Sequence, residues 1–591
     1  MSTAPRILIY VVRRDLRLAD NPIFHEIASR QKKSQLSFTH LLPIYVFPAQ
    51  QIETSGFLCS DTQRSPYPEA RSQVGGFWRC GHHRASFLAE SIWDLKNALE
   101  GIGSGLEVRV GMLGDVVQDL LQAFKKDHGD VVGVWMTSEE GVEEKREENE
   151  IRMVLDAEGK ELQLWKDEKY LVDDRDLPFE KAQDLPDVFT SFRKMVEPLR
   201  EIPRSSLPAP SNLPPLPSPI PAQKAPFSIP STFDGMAEAL CKPLRNGYGL
   251  GQMPEWPNGA TSAHPFHGGE KTGHDRIKHL VSSGSMSTYK DTRNGMLGKD
   301  FSTKLSAWLA LGCVTARQIH EYLIDFENAR SELGKGAQGY GKGENKGTAA
   351  VRFELLWRDY MRLCTRKFGP RLFQLEGFRN DTSESWKHPG QDKDVTHAVQ
   401  RFLEGRTGIG LIDASMRELY LTGYTSNRAR QNAASFLAKH LYIDWRIGAE
   451  WYESMLIDYD VSSNWGNWQY TSGVGNDPRG EGRVFNPVKQ AFDYDPQGAY
   501  IKNWVFESRK LEDPQCIFQP WKVPADQRAE MGLNDFESVE RPLKRIEYHV
   551  GGKKGGNGKG WRRDTRKGSE RGGRGGHHLG KQKQRQGRDL L

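Results

Sequence analysis

The chain has 591 residues, 37% hydrophobic and 27% charged, with 82 Lys and Arg against 77 Asp and Glu for a formal net charge of +5. That balance excludes collagenous and wholly disordered classes, and no apolar run reaches the roughly 18 residues of a membrane span. The six cysteines (Cys59, Cys80, Cys241, Cys313, Cys364, Cys516) form no C-x-x-C pair, which argues against a zinc ribbon or a disulfide scaffold and favours a reducing compartment.

From the N-terminus, apolar runs at Ile7–Val12, Leu41–Phe47, Leu106–Val110, Val131–Met136 and Leu162–Trp165 read as short strands. The first is too short for a signal-peptide core and is followed at once by Arg13, Arg14 and Asp15. The fold is therefore expected to start near the N-terminus, with no cleaved leader. Helical patterns at Ala85–Leu99 and Val116–Lys126 fall between strands, and such alternation predicts an α/β part built on a doubly wound parallel sheet. Gly101, Gly103 and Gly105 are too closely spaced for a dinucleotide-binding fingerprint. The proline-dense stretch Pro203–Pro230 reads as an extended linker. Beyond it the pattern becomes helical, with Val351–Lys367, Gly410–Leu421, Arg428–Leu441 and Arg446–Leu456 at helical length and spacing. A Gly- and Lys-rich insert, Gly334–Gly347, reads as a loop. The expected organisation is an α/β domain over 1–170, a linker over 171–235, an all-α domain over 236–510, an extension over 511–550 and a tail over 551–591.

The tail holds thirteen Lys and Arg, three acids and thirteen glycines, so its net charge is +10 and the remainder of the chain carries −5. With almost nothing apolar to bury, it is expected to be disordered. Its Arg571-Gly-Gly-Arg574-Gly-Gly stretch resembles RGG segments, and dense Lys and Arg release counterions from phosphates. Nucleic acid, RNA or duplex DNA, is its expected partner; a solubilising tail without one is the alternative.

Three polar constellations stand out in the helical part. Glu354, Trp357 and Arg358 lie at offsets of three and four on one helix face, suited to stack on a ring and bond its edge, or to form an ordinary Glu354–Arg358 salt bridge beside a core Trp. Asn427, Arg430 and Gln431 share a face behind a Thr425 or Ser426 cap, where a helix start and a guanidinium suit an anion or an electron-rich ring. Asp458 and Asp460, two residues apart after an apolar helix, imply a tight turn. Metal ligation lacks the further oxygen ligands it needs, so bonds to ribose hydroxyls or ring nitrogens fit better. Trp445, Trp451, Trp465 and Trp468 crowd the same region; such rings pack cores, and they also pass electrons. Ser302-Thr303-Lys304-Leu305-Ser306, before Trp308–Leu311, reads as a phosphate-cradling helix start without the glycine frame of a Walker loop.

Taken together, Arg13–Pro22, Lys304–Gly312, Glu354–Arg358, Asn427–Asp460 and Arg483–Pro487 resemble the photolyase/cryptochrome flavoprotein family over about residues 6 to 510. Thr425–Phe436 and Asp444–Trp451 most resemble its cryptochrome-DASH branch. The resemblance implies an antenna domain of α/β type and an all-α domain holding FAD. It assigns Tyr289, Ser302, Thr303, Lys304, Leu305 and Ser306 to the phosphates, Arg358 and Arg430 to the flavin surroundings, and Asp458 and Asp460 to ribose and ring. Asn464 would face the flavin N5. The implied reaction is blue-light-driven electron donation from reduced FAD to a cyclobutane pyrimidine dimer flipped out of DNA. Glu354 would hydrogen-bond the dimer, Trp357 stack on it, and Asn427 bridge flavin and substrate. Arg293, Arg428 and Arg483 would hold the flanking phosphates.

Gln431 and Tyr470 stand where double-strand photolyases carry methionine and tryptophan. Less stacking for an extruded dimer implies a preference for single-stranded DNA. Trp468 and Trp445 match the flavin-proximal and middle tryptophans of the photoreduction chain. Phe402 occupies the third position, so either Trp386 is the surface donor or photoreduction is slow. The resemblance also implies a folate antenna, 5,10-methenyltetrahydrofolate, at Glu143 and Glu144, for which a solvated acidic helix start is the plainer alternative. The rival output is a blue-light photoreceptor that signals through the same flavin and binds nucleic acid with little repair. No resident metal and no membrane contact are expected. The chain is expected to be a monomer inside the cell, in cytoplasm, nucleus or both, with the mitochondrion left open.

Overall fold

The computed structural model describes residues 5–548 apart from 61, 128, 246, 384, 478–483 and 535. The tail and Arg483 therefore lie outside the described residues. Five strands, β1 (Arg6–Val12), β2 (His40–Pro48), β3 (Glu107–Gly111), β4 (Asp130–Ser138) and β5 (Glu161–Lys166), form one parallel sheet in the order β3-β2-β1-β4-β5. Each contains or overlaps an expected strand. Ile9 of β1 sits opposite Leu42 of β2 on one side and Val134 of β4 on the other. Residues Ile7 to Val12 are all buried, because helices cover both faces of the sheet. That double burial is why the strand reads as an unbroken apolar run rather than an alternating one.

Four helices accompany the sheet: α1 (Pro22–Lys32), α2 (His82–Glu100), α3 (Leu113–Lys126) and α4 (Val142–Ala157). Val116, Val117, Leu120, Leu121 and Phe124 of α3 recur at helical spacing and pack on Ile9, Val11, Leu42 and Ile44. The strand order reverses between β1 and β4, so the loops after these strands open a crevice at their carboxyl ends.

The proline-rich stretch contains no helix or strand among the described residues. It nevertheless straps the sheet edge: Leu41 N–H donates to Pro215 O (3.1 Å), Arg109 Nη2 to Pro221 O (2.7 Å) and Val110 N–H to Gln223 Oε1 (3.0 Å). The Gly/Lys insert is a loop, as expected, up to Asn345. That side chain accepts from Gly347 and Thr348 N–H and caps the long helix Lys346–Phe368. The run expected as one helix over Arg428–Leu441 is a helix over Asn427–Ser435 followed by a wider π turn over Phe436–His440. Among the described residues, no helix is long and apolar enough to cross a membrane.

Ion pairs brace the loops that follow the strands and tie them to the helices. Arg17 reaches Asp167 at 2.7 Å with both side chains almost fully buried, Arg317 pairs with Asp20, and Arg366 bridges Glu140 and Asp174. The described residues up to Glu547 group as one compact unit.

Candidate functional site

The site is built where the short helix Ser306–Leu311, the long helix Lys346–Phe368 and the helices Asn427–Ser435 and Val461–Ser472 contribute polar side chains. Asp458 is its hub. Both nitrogens of the Arg430 fork meet its carboxylate, at 3.1 and 2.9 Å, and Ser306 Oγ donates to it at 2.6 Å. Arg430 Nε is used by Thr425 O (2.8 Å), and the guanidinium lies over the Tyr424 ring. Asp460 caps the Val461–Ser472 helix by accepting from Ser463 N–H at 2.8 Å. Burial by itself would raise its carboxyl. The Arg358 guanidinium, the Ser463 N–H and Arg14 outweigh burial and hold it below the usual carboxylate range. The turn expected at the two aspartates is present, with each carboxylate serving a different element.

The segment expected to cradle phosphates is a turn of unusual backbone. Ser302 and Lys304 are left-handed (φ 66° and 54°), a conformation found in anion-binding concavities. Burial raises the Tyr424 phenol against a downward pull from Ser302, Thr303 O accepts from Arg276 Nε (3.0 Å), and Leu305 is buried at the helix start. Lys304 departs from expectation. Its ammonium is turned back into the loop, onto the carbonyls of Gly298 (2.9 Å), Lys299 (3.1 Å) and Phe301. Burial, helped by Arg276, lowers its pKa to about 7. Its side chain therefore stabilises the turn, and any service to a phosphate falls to the backbone.

Glu354 and Arg358 do not pair with each other. Arg358 donates Nη2 to Leu309 O (2.8 Å) and lies over the Tyr170 ring, while its Nη1 is buried without a partner. Glu354 faces the helix Ser285–Thr292 and is ion-paired with Arg293. The expected shared face is thus divided between two neighbours, and the Glu354–Arg358 salt bridge is ruled out. Trp357 stands edge-on to Tyr470 (centroids 5.6 Å) and to Phe189 (4.7 Å), and its indole N–H donates to Asn467 Oδ1 at 3.2 Å. Tyr289 is buried under Arg293, and desolvation with the Glu354 charge raises its phenol. Ser426 caps the next helix by accepting from Ala429 N–H, Asn427 at its first turn is exposed, and Gln431 accepts from Arg428 Nη1 at 3.0 Å.

Asn464 is buried and its amide nitrogen donates to Ala449 O at 2.9 Å, which leaves the amide oxygen for another partner. Trp468 is buried against Gly448, where an added Cβ would lie 2.1 Å from the ring, and stands edge-on to Tyr452 at 5.1 Å. Trp445 is fully buried and meets Trp465 at 5.8 Å. Sequence reasoning missed Tyr424, Tyr170 and Tyr452, and it placed Trp465 only within the tryptophan crowd. Phe402 is also fully buried, stacked on Phe436. Trp386 is half-buried, and its neighbour Lys387 bridges Ile443, two residues before Trp445.

These residues fit FAD. The orphaned Arg358 Nη1 calls for a buried acceptor, and the free Asn464 oxygen accepts a donor; a flavin ring edge supplies both. At the sheet crevice, Glu143 is paired with Arg79 (2.8 Å) and Gln51, and Glu144 with Arg14 (2.9 Å). Glu144 lines a pocket with Arg13, Arg14, Tyr45, Glu147 and Tyr459, so α4 does not begin as a simply solvated acidic turn.

Comparison with known proteins agrees with this geometry. Residues 351–544 match the family described as the FAD binding domain of DNA photolyase, and residues 8–215 match the DNA photolyase family. A protein named putative cryptochrome DASH, mitochondrial, from Neurospora crassa is 52% identical over 567 residues, 92% of this chain and 75% of the relative. Cryptochrome DASH of Xenopus laevis is 36% identical over 100% of this chain and 98% of its own. The crystal structure of the Synechocystis sp. PCC6803 cryptochrome superposes with a TM-score of 0.71 at 34% identity, covering 93% of this chain and 100% of that one.

Proposed function

Because the chain belongs to the cryptochrome-DASH branch of the FAD-binding photolyase/cryptochrome flavoproteins, we propose that it repairs cyclobutane pyrimidine dimers in single-stranded DNA under blue light. The observation that carries the reading is a carboxylic acid beside an aromatic wall: Glu354 one helical turn from Trp357, with Tyr470 against that indole. Glu354 is held above the ordinary carboxylate range because burial outweighs the pull of Arg293. Once protonated, such an acid donates a hydrogen bond to a base carbonyl.

Bound FAD, reduced and light-excited, supplies one-electron donation. The protein's own residues do the rest. Asp458, Arg430, Ser306, Asp460, Arg358 and Asn464 hold the cofactor, with Tyr289 and the backbone of the Ser302–Leu305 turn at its phosphates. Trp357 and Tyr470 receive the extruded bases, and Asn427 reaches between the two sites. Glu354 hydrogen-bonds the dimer and so stabilises the negative charge that the bases acquire. Arg293, Arg428 and Arg483 meet the flanking phosphates. Trp468 and Trp445 carry electrons inward when the cofactor must be reduced, with Trp386 as the donor at the surface.

Single-strand preference follows from the pocket wall. Unpairing a base from a duplex costs a few kcal/mol, and a single strand spares most of it. Gln431 and Tyr470 supply polar edges in place of the broader stacking needed to meet that cost. The crevice between β1 and β4 is assigned to a methenyltetrahydrofolate antenna, with Glu144 the chief contact. The basic tail is assigned to nucleic acid. A relative named mitochondrial adds that compartment to cytoplasm and nucleus as places to look for the protein.

The test is blue-light repair of a thymine dimer in matched single- and double-stranded oligonucleotides by the reduced, FAD-loaded protein. Repair of the single strand, lost or much reduced in Glu354→Ala, is the expected result. A protein that binds and photoreduces FAD but repairs neither strand refutes the enzyme reading and leaves a photoreceptor that signals through the same flavin.

A further inference from the structure

The arginines beside the cleft are engaged within the protein. Arg293 is ion-paired with Glu354, the acid assigned to the lesion. Arg428 donates to Asn294 Oδ1 (2.9 Å) and to Gln431 Oε1 (3.0 Å), so its guanidinium is bonded to the residue that follows Arg293. A strand that brings phosphates to the cleft therefore competes for cations that already have partners. Arg293 gains a phosphate only by leaving Glu354, or by sharing itself between two anions.

We propose that Arg293 is a latch which couples phosphate recognition to protonation of Glu354: the phosphate beside the lesion takes Arg293, and Glu354 takes one proton from solvent and becomes the hydrogen-bond donor to the base. Arg293 keeps its charge throughout, the phosphate stays anionic, and no electron moves. The inference rests on the proposed repair function of the same cleft.

The charged neighbours of Glu354 set the sign. Lys290 and Tyr289 face it from the helix Ser285–Thr292, Arg293 from the position that ends that helix, and Arg428 from the helix Asn427–Ser435. From the helix Val461–Ser472, Tyr470 stands against Trp357, and on its own helix Arg358 is turned to Leu309 O. Burial raises the Glu354 carboxyl, while Arg293, then Arg428 and Lys290, pull it down. Removing Arg293 deletes the strongest of those opposing pulls, and the arriving phosphate adds a like charge. Both changes favour the protonated acid. The lesion then meets a neutral donor instead of a carboxylate, whose lone pairs would repel the carbonyl oxygens of a pyrimidine.

The latch predicts proton uptake on binding, in the dark, with the full-length FAD-loaded protein. Calorimetric titrations near neutral pH in buffers of differing ionisation enthalpy count the protons. A single-stranded oligonucleotide carrying a thymine dimer is compared with the same strand bearing uncharged methylphosphonates at the phosphates flanking the lesion. The expected result is uptake of up to about one proton per dimer with the natural strand. Uptake is lost with the methylphosphonate strand and lost with the natural strand in Glu354→Gln. The methylphosphonate comparison needs no variant, so it stands even if the substitution harms folding. Binding of the natural strand without proton uptake, or equal uptake from both strands, overturns the latch. A lesion strand that fails to bind refutes the repair reading itself, and the latch with it.

Discussion

Replacing Asp458 by Asn removes the charge at the hub while keeping the shape of the side chain. In the native protein that carboxylate receives both nitrogens of Arg430 and the Ser306 hydroxyl. Breaking a fully buried pair costs about 3–5 kcal/mol. Here the Asp458 side chain is 4% exposed but Arg430 is 24% exposed, and Arg430 retains Thr425 O as a partner. The loss is therefore closer to that of one charge-assisted hydrogen bond, about 1.5–3 kcal/mol. If FAD needs this geometry, its dissociation constant rises by about tenfold to a hundredfold. The assay is titration of flavin-free protein with FAD, followed by flavin fluorescence. Ser306→Ala is the control: it deletes one bond and leaves the ion pair, so its effect stays near 1 kcal/mol, about tenfold or less. Unchanged FAD affinity in Asp458→Asn, or a larger loss in Ser306→Ala, refutes Asp458 as the hub.

Three further outcomes are expected. Trp386→Phe slows blue-light bleaching of the bound flavin with an external reductant, whereas Phe402→Leu leaves the rate unchanged, because Phe402 is fully buried; equal slowing by both rejects Trp386 as the exit. Burial pushes the Glu418 carboxyl up to about 7 although the Tyr500 hydroxyl donates to it at 2.7 Å, so its contribution to stability falls as pH rises from the unfolded value near 4.3 to about 7. Glu418→Gln removes that slope and stabilises the protein relative to the native chain by up to on the order of 3 kcal/mol at pH 8, with little change near pH 4, in thermal or denaturant unfolding; a gain of equal size at both pH values contradicts the assignment. Removing residues 549–591 flattens the dependence of single-strand affinity on salt, read by fluorescence anisotropy. Each cation that meets a phosphate contributes about 0.7 to the logarithmic slope, and an unchanged slope means the tail does not touch the strand.

Much of this protein is determined by short-range features of its sequence. The five strands are legible because a strand buried on both faces must be apolar throughout, as Ile7–Val12 is. The helix starts at Ser426 and Asp460 follow from side chains that bond N–H groups only three residues ahead. The ordered motifs around Glu354, Asn427 and Asp458 also carry the family resemblance. Tertiary structure decided the partners. Glu354 and Arg358 are neighbours on one helix, yet Glu354 goes to Arg293 and Arg358 to Leu309 O, because each long side chain follows the helix packed against it. Lys304 bends into its own turn because three carbonyls there accept from its ammonium. The prolines announce an extended segment but not the sheet edge it covers. Periodicity and capping depend on bonds between residues a few positions apart. Which charge meets which depends on competition for buried partners that the chain brings together only when it folds.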